Sequence, residues 1–317
     1  MSSVIFLLLG FVLLFFGGEL LVRGSVALAL RMKISTLVVG MTVVAFATSA
    51  PELFVSLKAI SESSSNIALG NSIGSNIANI ALVLGFTAMI FRVRISEQTL
   101  MLHYPVMLAA SFLLGLVLYF FNGIPVYFGF IFVILLFLFF ALMIVISRKQ
   151  HIEFSDAETS IDRISDDSLL KSILFLIAGV FLLKYGADFL VDSTQILANT
   201  FGVSDRLIAV TAVAIGTSIP ELATSIIAAL RKEENLAVGN LIGSNVFNIL
   251  SVLGITASVK EINIDDAAIF EFDYLWMMLT TLLLGLLIYV FSKQQISRKE
   301  GAFLVLLYLC YMYTTLV

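Results

Sequence analysis

Long apolar runs separated by short polar segments dominate the pattern of this chain. An α-helix needs about 20 consecutive apolar residues to cross a hydrocarbon core about 30 Å thick. Runs of this kind lie at about 4–22, 37–60, 66–90, 100–121, 125–147, 172–191, 206–230, 236–258, 273–291 and 301–317. The pattern predicts an all-α membrane protein with ten transmembrane helices.

The composition supports a lipid bilayer as the surroundings of this chain. Its 317 residues are 60% hydrophobic and 13% charged, whereas a soluble domain is about half apolar and about a quarter charged. The first run carries Glu19 and has no basic segment before it, which favours a membrane span over a cleaved signal peptide. The sequence has no basic arm and no basic-aromatic patch, so we expect no nucleic-acid partner. Nothing in it implies a protein partner.

One long polar stretch separates the fifth run from the sixth. It divides the chain into a first half (1–147), an acidic linker (148–171) and a second half (172–317). The linker is rich in Asp and Glu and poor in apolar residues, which is typical of a solvated connection.

Two sequence blocks occur twice. Ala-Thr-Ser-Ala-Pro-Glu at 47–52 returns as Gly-Thr-Ser-Ile-Pro-Glu at 216–221, and Gly-Asn-Ser-Ile-Gly-Ser-Asn at 70–76 returns as Gly-Asn-Leu-Ile-Gly-Ser-Asn at 239–245. Both blocks return after 169 residues, and the same offset pairs Glu19 with Asp188. Each half therefore holds one copy of a unit of five predicted spans. Because five is odd, the second copy enters the membrane from the opposite side, as in secondary transporters that bind their substrate near the midplane between inverted repeats.

Basic residues predict the orientation of the chain. With the N-terminus outside, fourteen Lys and Arg residues fall in inner segments and three, Lys58, Arg206 and Lys260, fall in outer ones. Because inner loops carry the excess of basic residues, we expect both termini to be extracytoplasmic, in a plasma (inner) membrane.

Two glutamates lie deep within apolar runs. Glu52 belongs to the second run and Glu221, its repeat partner, to the seventh. A carboxylate at that depth is costly unless it is paired or lines a watery cavity, and it marks a functional site by default. The second, third, seventh and eighth runs offer no basic partner in their cores. We therefore expect both carboxylates to face a polar site.

Oxygen-bearing side chains surround each glutamate at helical spacing, which places them on one helix face. They are Thr48, Ser49 and Ser56 around Glu52, and Thr217, Ser218 and Ser225 around Glu221. Pro51 and Pro220 lack an N–H, so we expect a kink in both helices. The kinks free the carbonyl oxygens of Ala47 and Gly216, which would otherwise accept helical hydrogen bonds.

The third and eighth runs add amides and hydroxyls in a repeated pattern. These residues are Asn71, Ser75, Asn76 and Asn79 in the first half, and Asn240, Ser244, Asn245 and Asn248 in the second. Asn71, Ser75 and Asn79 are four residues apart and share a stripe, although such residues also serve interhelical hydrogen bonding. One Cys and two distant His exclude a Cys/His metal cluster. Oxygen ligands alone suit Ca²⁺ or Na⁺, whereas Zn²⁺, Cu and Mg²⁺ are disfavoured.

The repeated blocks resemble the α-repeats of the Ca²⁺/cation antiporter superfamily, and in particular its sodium/calcium exchangers. The resemblance covers both halves, with four blocks in order at a constant offset. It implies alternating access, in which the first and sixth spans, with Glu19 and Asp188, slide across a rigid core. It also implies that Ca²⁺ and Na⁺ are the transported substrates and that the protein has no cofactor.

The resemblance further implies a set of ligands. Glu52 and Glu221 are the shared acidic ligands of the Ca²⁺ and central Na⁺ sites, and the backbone oxygens of Thr48 and Thr217 complete the calcium shell. One flanking Na⁺ site uses Ala45, Ser49 and Ser75, and the other uses Ala214, Ser218 and Ser244. Asn79 and Asn248 line the central site. Some relatives carry Asp at one of these last two positions, so Asn at both disfavours K⁺ dependence.

These observations lead to a Na⁺-coupled Ca²⁺ exporter as the main hypothesis. An H⁺-coupled Ca²⁺ antiporter is the alternative, because burial raises the affinity of a carboxylate for protons and lets them compete with metal. A channel would share the polar lining but lack obligatory exchange. An intramembrane protease, and with it an enzymatic role, is disfavoured, since no His-Glu-x-x-His motif or paired Asp motif occurs.

Overall fold

The computed structural model describes residues 2–153, 168–200, 216–291 and 294–316, and nearly all of them are helical. In the first half the α-helices are α1 (Ser2–Met32), α2 (Thr36–Val39), α3 (Ala45–Thr48), α4 (Ala50–Ser61), α5 (Ser65–Ile77), α6 (Gly85–Ile90), α7 (Tyr104–Phe121) and α8 (Val126–Glu153). In the second half they are α9 (Leu169–Thr200), α10 (Ile219–Leu230), α11 (Glu234–Phe247), α12 (Gly254–Val259), α13 (Leu275–Leu286) and α14 (Arg298–Leu316).

Segments of π-helix join several of these helices into longer rods. They cover Gly40–Val44, Ala78–Leu84, Thr99–His103, Asn248–Leu253, Ile269–Tyr274 and Leu287–Phe291. The segments at Ala78–Leu84 and Asn248–Leu253 follow the two repeated Asn-rich blocks. Single π-turns inside α-helices are frequent at functional sites.

Seven of the described rods are long and apolar enough to cross a membrane, and an eighth is the bent pair of α2–α3 and α4. The seven are Val4–Met32, Ser65–Ile90, Thr99–Phe121, Val126–Ser147, Leu169–Ser193, Glu234–Val259 and Ile269–Phe291. The predicted seventh run lies only partly within the described residues, where α10 forms its second half. A multi-span all-α membrane protein is thus confirmed, while the count of ten spans stays a prediction.

Three helices extend further than the hydropathy predicts, and one of them is α9, which continues past the predicted end near 191 to Thr200. The first span was expected to end near residue 22, but α1 continues to Met32, because 23–32 contains no proline and only one glycine to break it. It ends before Lys33, which has a left-handed backbone with φ 54°. Likewise α8 runs through Glu153 into the predicted linker, and residues 154–167 lie outside the described part of the chain.

Two short antiparallel ladders tie the halves together. Strand β1 (Val93–Arg94) pairs with β4 (Gln295–Ile296), and β2 (Gly123–Ile124) pairs with β3 (Ile262–Asn263). Each ladder joins the first half to the second, and the repeat offset of 169 residues relates β1 to β3, whereas β2 and β4 are 172 residues apart. The two ladders are therefore equivalent under exchange of the halves.

The core of the molecule lies around the rods that carry the Asn-rich blocks. The apolar window of Glu234–Val259 is 100% buried and that of Ser65–Ile90 is 72% buried, against 28% for Val4–Met32 and 22% for Leu169–Ser193. In a bilayer the exposed apolar side chains of the outer helices meet lipid, while polar groups are placed inside the bundle. The structure therefore puts the candidate residues at the protected centre.

A glycine seam holds α1 against α9 on the outside of this core. A Cβ at Gly17 would lie 2.8 Å from the backbone nitrogen of Leu183, and one at Gly10 would lie 2.9 Å from the carbonyl oxygen of Gly186. Backbones that approach this closely leave no room for a side chain, which is how small residues serve helix packing in membranes.

Candidate functional site

The second span breaks beside Glu52, as the proline predicts. Helix α3 ends at Thr48 and α4 begins at Ala50, and the axis of the rod Thr36–Thr48 differs from that of α4 by 44°. Ser49, at the break, has φ −90° and ψ 5°, and Ser218, its repeat partner, has φ −89° and ψ −1° before α10 begins. The same local sequence thus folds the same way in both halves and starts a helix with a glutamate in its first turn.

Both glutamates are fully enclosed. Glu52 is 1% exposed and Glu221 is 0% exposed. One oxygen of each accepts a hydrogen bond from a serine, Ser75 Oγ to Glu52 Oε1 at 3.5 Å and Ser49 Oγ to Glu221 Oε1 at 3.2 Å. The other oxygen, Oε2, has no partner in either residue. No ion pair joins either carboxylate to a basic residue within the described part of the chain.

Hydroxyl groups link the two halves around the glutamates. Ser75 Oγ lies 3.5 Å from Thr217 Oγ1, and Thr48 Oγ1 lies 3.4 Å from Ser244 Oγ. Together with the bond from Ser49 to Glu221, these contacts join the first half to the second both near Glu52 and near Glu221. The predicted residues of the two halves therefore form one site at the interface of the repeats.

Two asparagines add further unpartnered oxygens. Asn79 donates through Nδ2 to Asn245 Oδ1 at 3.1 Å, and Asn248 donates through Nδ2 to Asn76 Oδ1 at 3.1 Å. The Oδ1 atoms of Asn79 and Asn248 are buried and accept no hydrogen bond. The π-helical segment with Asn248 packs against α4, and the segment with Asn79 packs against α10. Each amide thus lies on a segment that touches a glutamate-bearing helix.

Four acceptor oxygens are therefore left without donors in repeat-related pairs. A buried acceptor without a partner costs about 1–3 kcal/mol, and more when it is charged. A cation bound among these oxygens would remove the cost, which an apolar core could not do. Among the described residues no three His, Cys, Asp or Glu side chains cluster. A cation here must accordingly combine two carboxylates with neutral oxygens, as hard cations do.

The remaining predicted ligands have mixed surroundings. Ser218 is buried and its Oγ has no partner, so it is free to bind a cation. Ala45 is buried, and its carbonyl already accepts bonds from the Ser49 N–H at 2.9 Å and the Thr48 hydroxyl at 3.4 Å. Thr217 is half-buried. Ala214 lies outside the described residues.

Asn71, the first residue of the predicted stripe, bonds to the glutamate-bearing helix α4. Its Nδ2 donates to the Glu52 carbonyl and to Ser56 Oγ, both at 3.0 Å. Asn240 donates to Ser225 Oγ at 3.4 Å, and its Oδ1 accepts from the Thr48 hydroxyl at 3.1 Å, so Asn240 does not keep a free oxygen. These two amides brace the glutamate-bearing helices against the Asn-rich rods.

Two cavities reach the site from one end of the bundle. One, of about 460 Å³, separates α4 from α9 and is lined by Pro51, Phe54, Val55, Lys184, Ala187, Asp188, Val191, Asp192, Gly216, Thr217 and Pro220. The other, of about 250 Å³, reaches Ser75, Asn71 and Thr217. Thr217 borders both cavities, so both lie beside predicted ligands, although neither is lined by Glu52 or Glu221.

An interhelical ion pair at the other end was not predicted. Arg231, just after α10, donates to both carboxylate oxygens of Glu19 on α1, at 2.6 and 2.8 Å. The resemblance implies that Glu19 lies on the first of the two sliding spans. No sequence signal identifies its partner Arg231, which is 212 residues away. Asp188 pairs instead with Lys184 on its own helix, at 2.8 Å.

Comparisons with known proteins identify the family of this chain. The family model described as sodium/calcium exchanger protein matches residues 2–145 and 171–317. A putative antiporter, CaxA, of Alkalimonas amylolytica is 35% identical over 98% of both chains, and the sodium/calcium exchanger MaX1 of Methanosarcina acetivorans is 28% identical over 98% of this chain and 97% of its own. The solved structure of the sodium-calcium exchanger NCX_Mj, soaked with zero Na⁺ and Ca²⁺, is 28% identical. It superposes with a TM-score of 0.82 over 99% of this chain and 98% of the other. The matches cover both halves and confirm the resemblance, and the chain belongs to the sodium/calcium exchanger family.

Proposed function

We propose that this protein exports Ca²⁺ in exchange for Na⁺ by alternating access. The observation that carries the proposal is the set of four unpartnered oxygens, on Glu52, Glu221, Asn79 and Asn248, at the centre of the bundle. Two carboxylates balance the charge of one Ca²⁺ or of two Na⁺. Either one Ca²⁺ or two Na⁺ would neutralise the charge of this site. The site can therefore bind Ca²⁺ or Na⁺ but not both together, as exchange requires.

The relatives support the choice of ions. One similar protein is named an antiporter and two are named sodium/calcium exchangers. The ligand set fits that chemistry, since Ca²⁺ and Na⁺ accept mixed carboxylate, amide and hydroxyl oxygens. The flanking sites would use Ala45, Ser49 and Ser75 on one side and Ala214, Ser218 and Ser244 on the other, while the Thr48 and Thr217 carbonyls would complete the calcium shell.

The architecture proposed for this function is ten spans in two inverted repeats of five. The repeat offset in the sequence, the matching backbone at Ser49 and Ser218, and the equivalence of the two β-ladders support it. Fourteen basic residues on one side against three on the other favour extracytoplasmic termini in a plasma membrane.

In that orientation we infer a state open to the outside, because the cavity of about 460 Å³ then lies on the outer side. Toward the inner side α1 packs on α10, where a Cβ at Gly18 would meet Ile227 at 2.9 Å. The repeat equivalent of Gly18 is Ala187 on α9, and it lines the cavity of about 460 Å³ together with residues of α4. Sliding α1 and α9 along the core would close this cavity and open its inner counterpart.

Ion flux by purified protein in liposomes tests the proposal. Ca²⁺ uptake should follow an outward Na⁺ gradient and require Na⁺ inside the vesicles. Uptake driven by a pH gradient alone would favour the H⁺-coupled alternative. Uptake that persists without any ion to exchange would indicate a channel and contradict both.

A further inference from the structure

Asn76 and Asn245 form a reciprocal pair at the centre of the bundle. Asn76 Nδ2 donates to the backbone carbonyl of Asn245 at 3.3 Å, and Asn245 Nδ2 donates to the carbonyl of Asn76 at 3.5 Å. They are 1% and 2% exposed and separated by the repeat offset of 169 residues. Each therefore sits at the same place in its own half.

These bonds determine the direction in which the NH₂ group and the Oδ1 atom of each amide point. A backbone carbonyl can only accept a hydrogen bond, so the NH₂ group of Asn76 must point at Asn245 and its Oδ1 must point away. That Oδ1 faces Asn248, which must then offer its own NH₂, as the 3.1 Å contact shows. The NH₂ of Asn248 is thereby used, and its remaining polar atom, Oδ1, is the one left without a partner.

The same chain of bonds runs through the other half. Asn245 donates to the Asn76 carbonyl and accepts from Asn79 Nδ2 at 3.1 Å, which leaves Asn79 Oδ1 free. Each half thus sets the orientation of the amide in the opposite half. A free asparagine could turn its NH₂ group toward a cation and repel it, and these bonds prevent that.

We propose that Asn76 and Asn245 are positioning residues for the cation site: they hold the Asn248 and Asn79 amides with oxygen toward the ion. The inference rests on the proposed function, because it presumes that the free oxygens bind a transported cation. Asn76 and Asn245 contribute no ligand themselves. Their effect on Ca²⁺ passes through the amide that each one orients.

A double-mutant cycle tests this role. Asn76→Leu removes the acceptor that orients Asn248, so the KM for Ca²⁺ in liposome flux should rise about five- to tenfold, the value of one hydrogen bond. In the Asn248→Asp background the residue beside position 76 ends in two oxygens and cannot be turned the wrong way. There Asn76→Leu should not raise the KM, because it removes only an oxygen that faces the Asp carboxylate.

Two controls accompany the cycle. Thr87→Val removes a fully buried hydroxyl from the same rod, one that bonds only to Val83 of its own helix, and it should leave the KM unchanged. If Asn76→Leu inserts poorly, the mirror cycle of Asn245→Leu and Asn79→Asp carries the same expectation.

The outcomes separate the two proposals. An equal rise of KM in both backgrounds, or no rise in either, would overturn the positioning role, since a purely structural asparagine does not depend on residue 248. Wild-type protein that moves no Ca²⁺ would instead overturn the proposed function.

Discussion

At the scale of single residues, the site depends on which oxygens are bonded and which are not. Ser75 and Ser49 each satisfy one oxygen of a glutamate and leave the other free. Burial of a charged oxygen without a partner is unfavourable, so it is tolerated only where a ligand supplies the missing interaction. We therefore expect substitution of either glutamate to have a large effect on transport.

Glu52→Gln and Glu221→Gln should each abolish Ca²⁺ uptake while the protein still folds. The amide keeps the shape of the side chain but removes one of the two charges that balance Ca²⁺. Uptake of radioactive Ca²⁺ into liposomes measures the loss, and size-exclusion chromatography in detergent checks the fold. Glu62→Gln, at the exposed end of helix α4, which carries Glu52, is the matched control and should transport normally. Robust exchange by either of the first two variants would contradict the two-carboxylate site.

At the scale of helices, the glycine seam holds α1 and α9 together, and α1 also packs against α10. The seam is a steric feature, set by backbone atoms about 3 Å from each missing Cβ. The ion pair of Glu19 with Arg231 is electrostatic and partly exposed, with side chains 26% and 56% accessible. The two features should respond differently to substitution.

Gly17→Val should separate α1 from α9 and reduce both thermal stability and transport. The new side chain would start 2.8 Å from Leu183 nitrogen, and overpacking of this kind costs about 1–3 kcal/mol. The melting temperature in detergent and the initial rate of Na⁺-driven uptake report the two effects. Phe16→Leu, which changes an exposed neighbour on the same helix, should alter neither. A Gly17→Val protein with the wild-type melting temperature would show that the helices are not in close contact.

Arg231→Gln should favour opening of the inner side, because it deletes the bond that ties α1 to α10. A partly exposed ion pair contributes about 0–1 kcal/mol, so the transport rate should change by less than about fivefold. Glu19→Gln and the double variant should give the same change, since all three remove one interaction. Lys232→Gln, the next residue, should have no effect. Additive effects of the two single variants would mean that Glu19 and Arg231 act independently.

At the scale of the whole molecule, the charge of the site decides the electrical nature of transport. Glu52 and Glu221 balance two positive charges, and Asn79 and Asn248 add none. A third Na⁺ would leave the buried site with a net positive charge, which is costly. The family resemblance nevertheless favours three Na⁺ per Ca²⁺, with the ions spread over the flanking serine sites and the position between Asn79 and Asn248 left to water.

Exchange should therefore be electrogenic. When Na⁺ leaves a vesicle and drives Ca²⁺ in, three positive charges leave as two enter, so a positive-inside potential should speed uptake. A K⁺ gradient with valinomycin sets the potential, and the initial rate of Ca²⁺ uptake is the measurement. A rate that does not depend on the clamped potential would support two Na⁺ per Ca²⁺ instead.

The sequence by itself determined the class of the protein, the duplication and the chemistry of the site. These follow from the length of apolar runs, from blocks such as Pro51-Glu52 and Pro220-Glu221 that return at one offset, and from side chains that offer only oxygen. Such properties are local or periodic, and they can be read without knowing which helices touch.

Only the tertiary structure decided how those groups are used. The same amide side chain occurs at four positions, Asn76, Asn79, Asn245 and Asn248. The sequence does not tell which of these amides orients a neighbouring amide and which keeps a free oxygen. That difference arises from hydrogen bonds across 166 to 172 residues, and the pairing of Glu19 with Arg231 spans still more of the chain. Contacts between distant segments depend on packing and register, which no local pattern encodes.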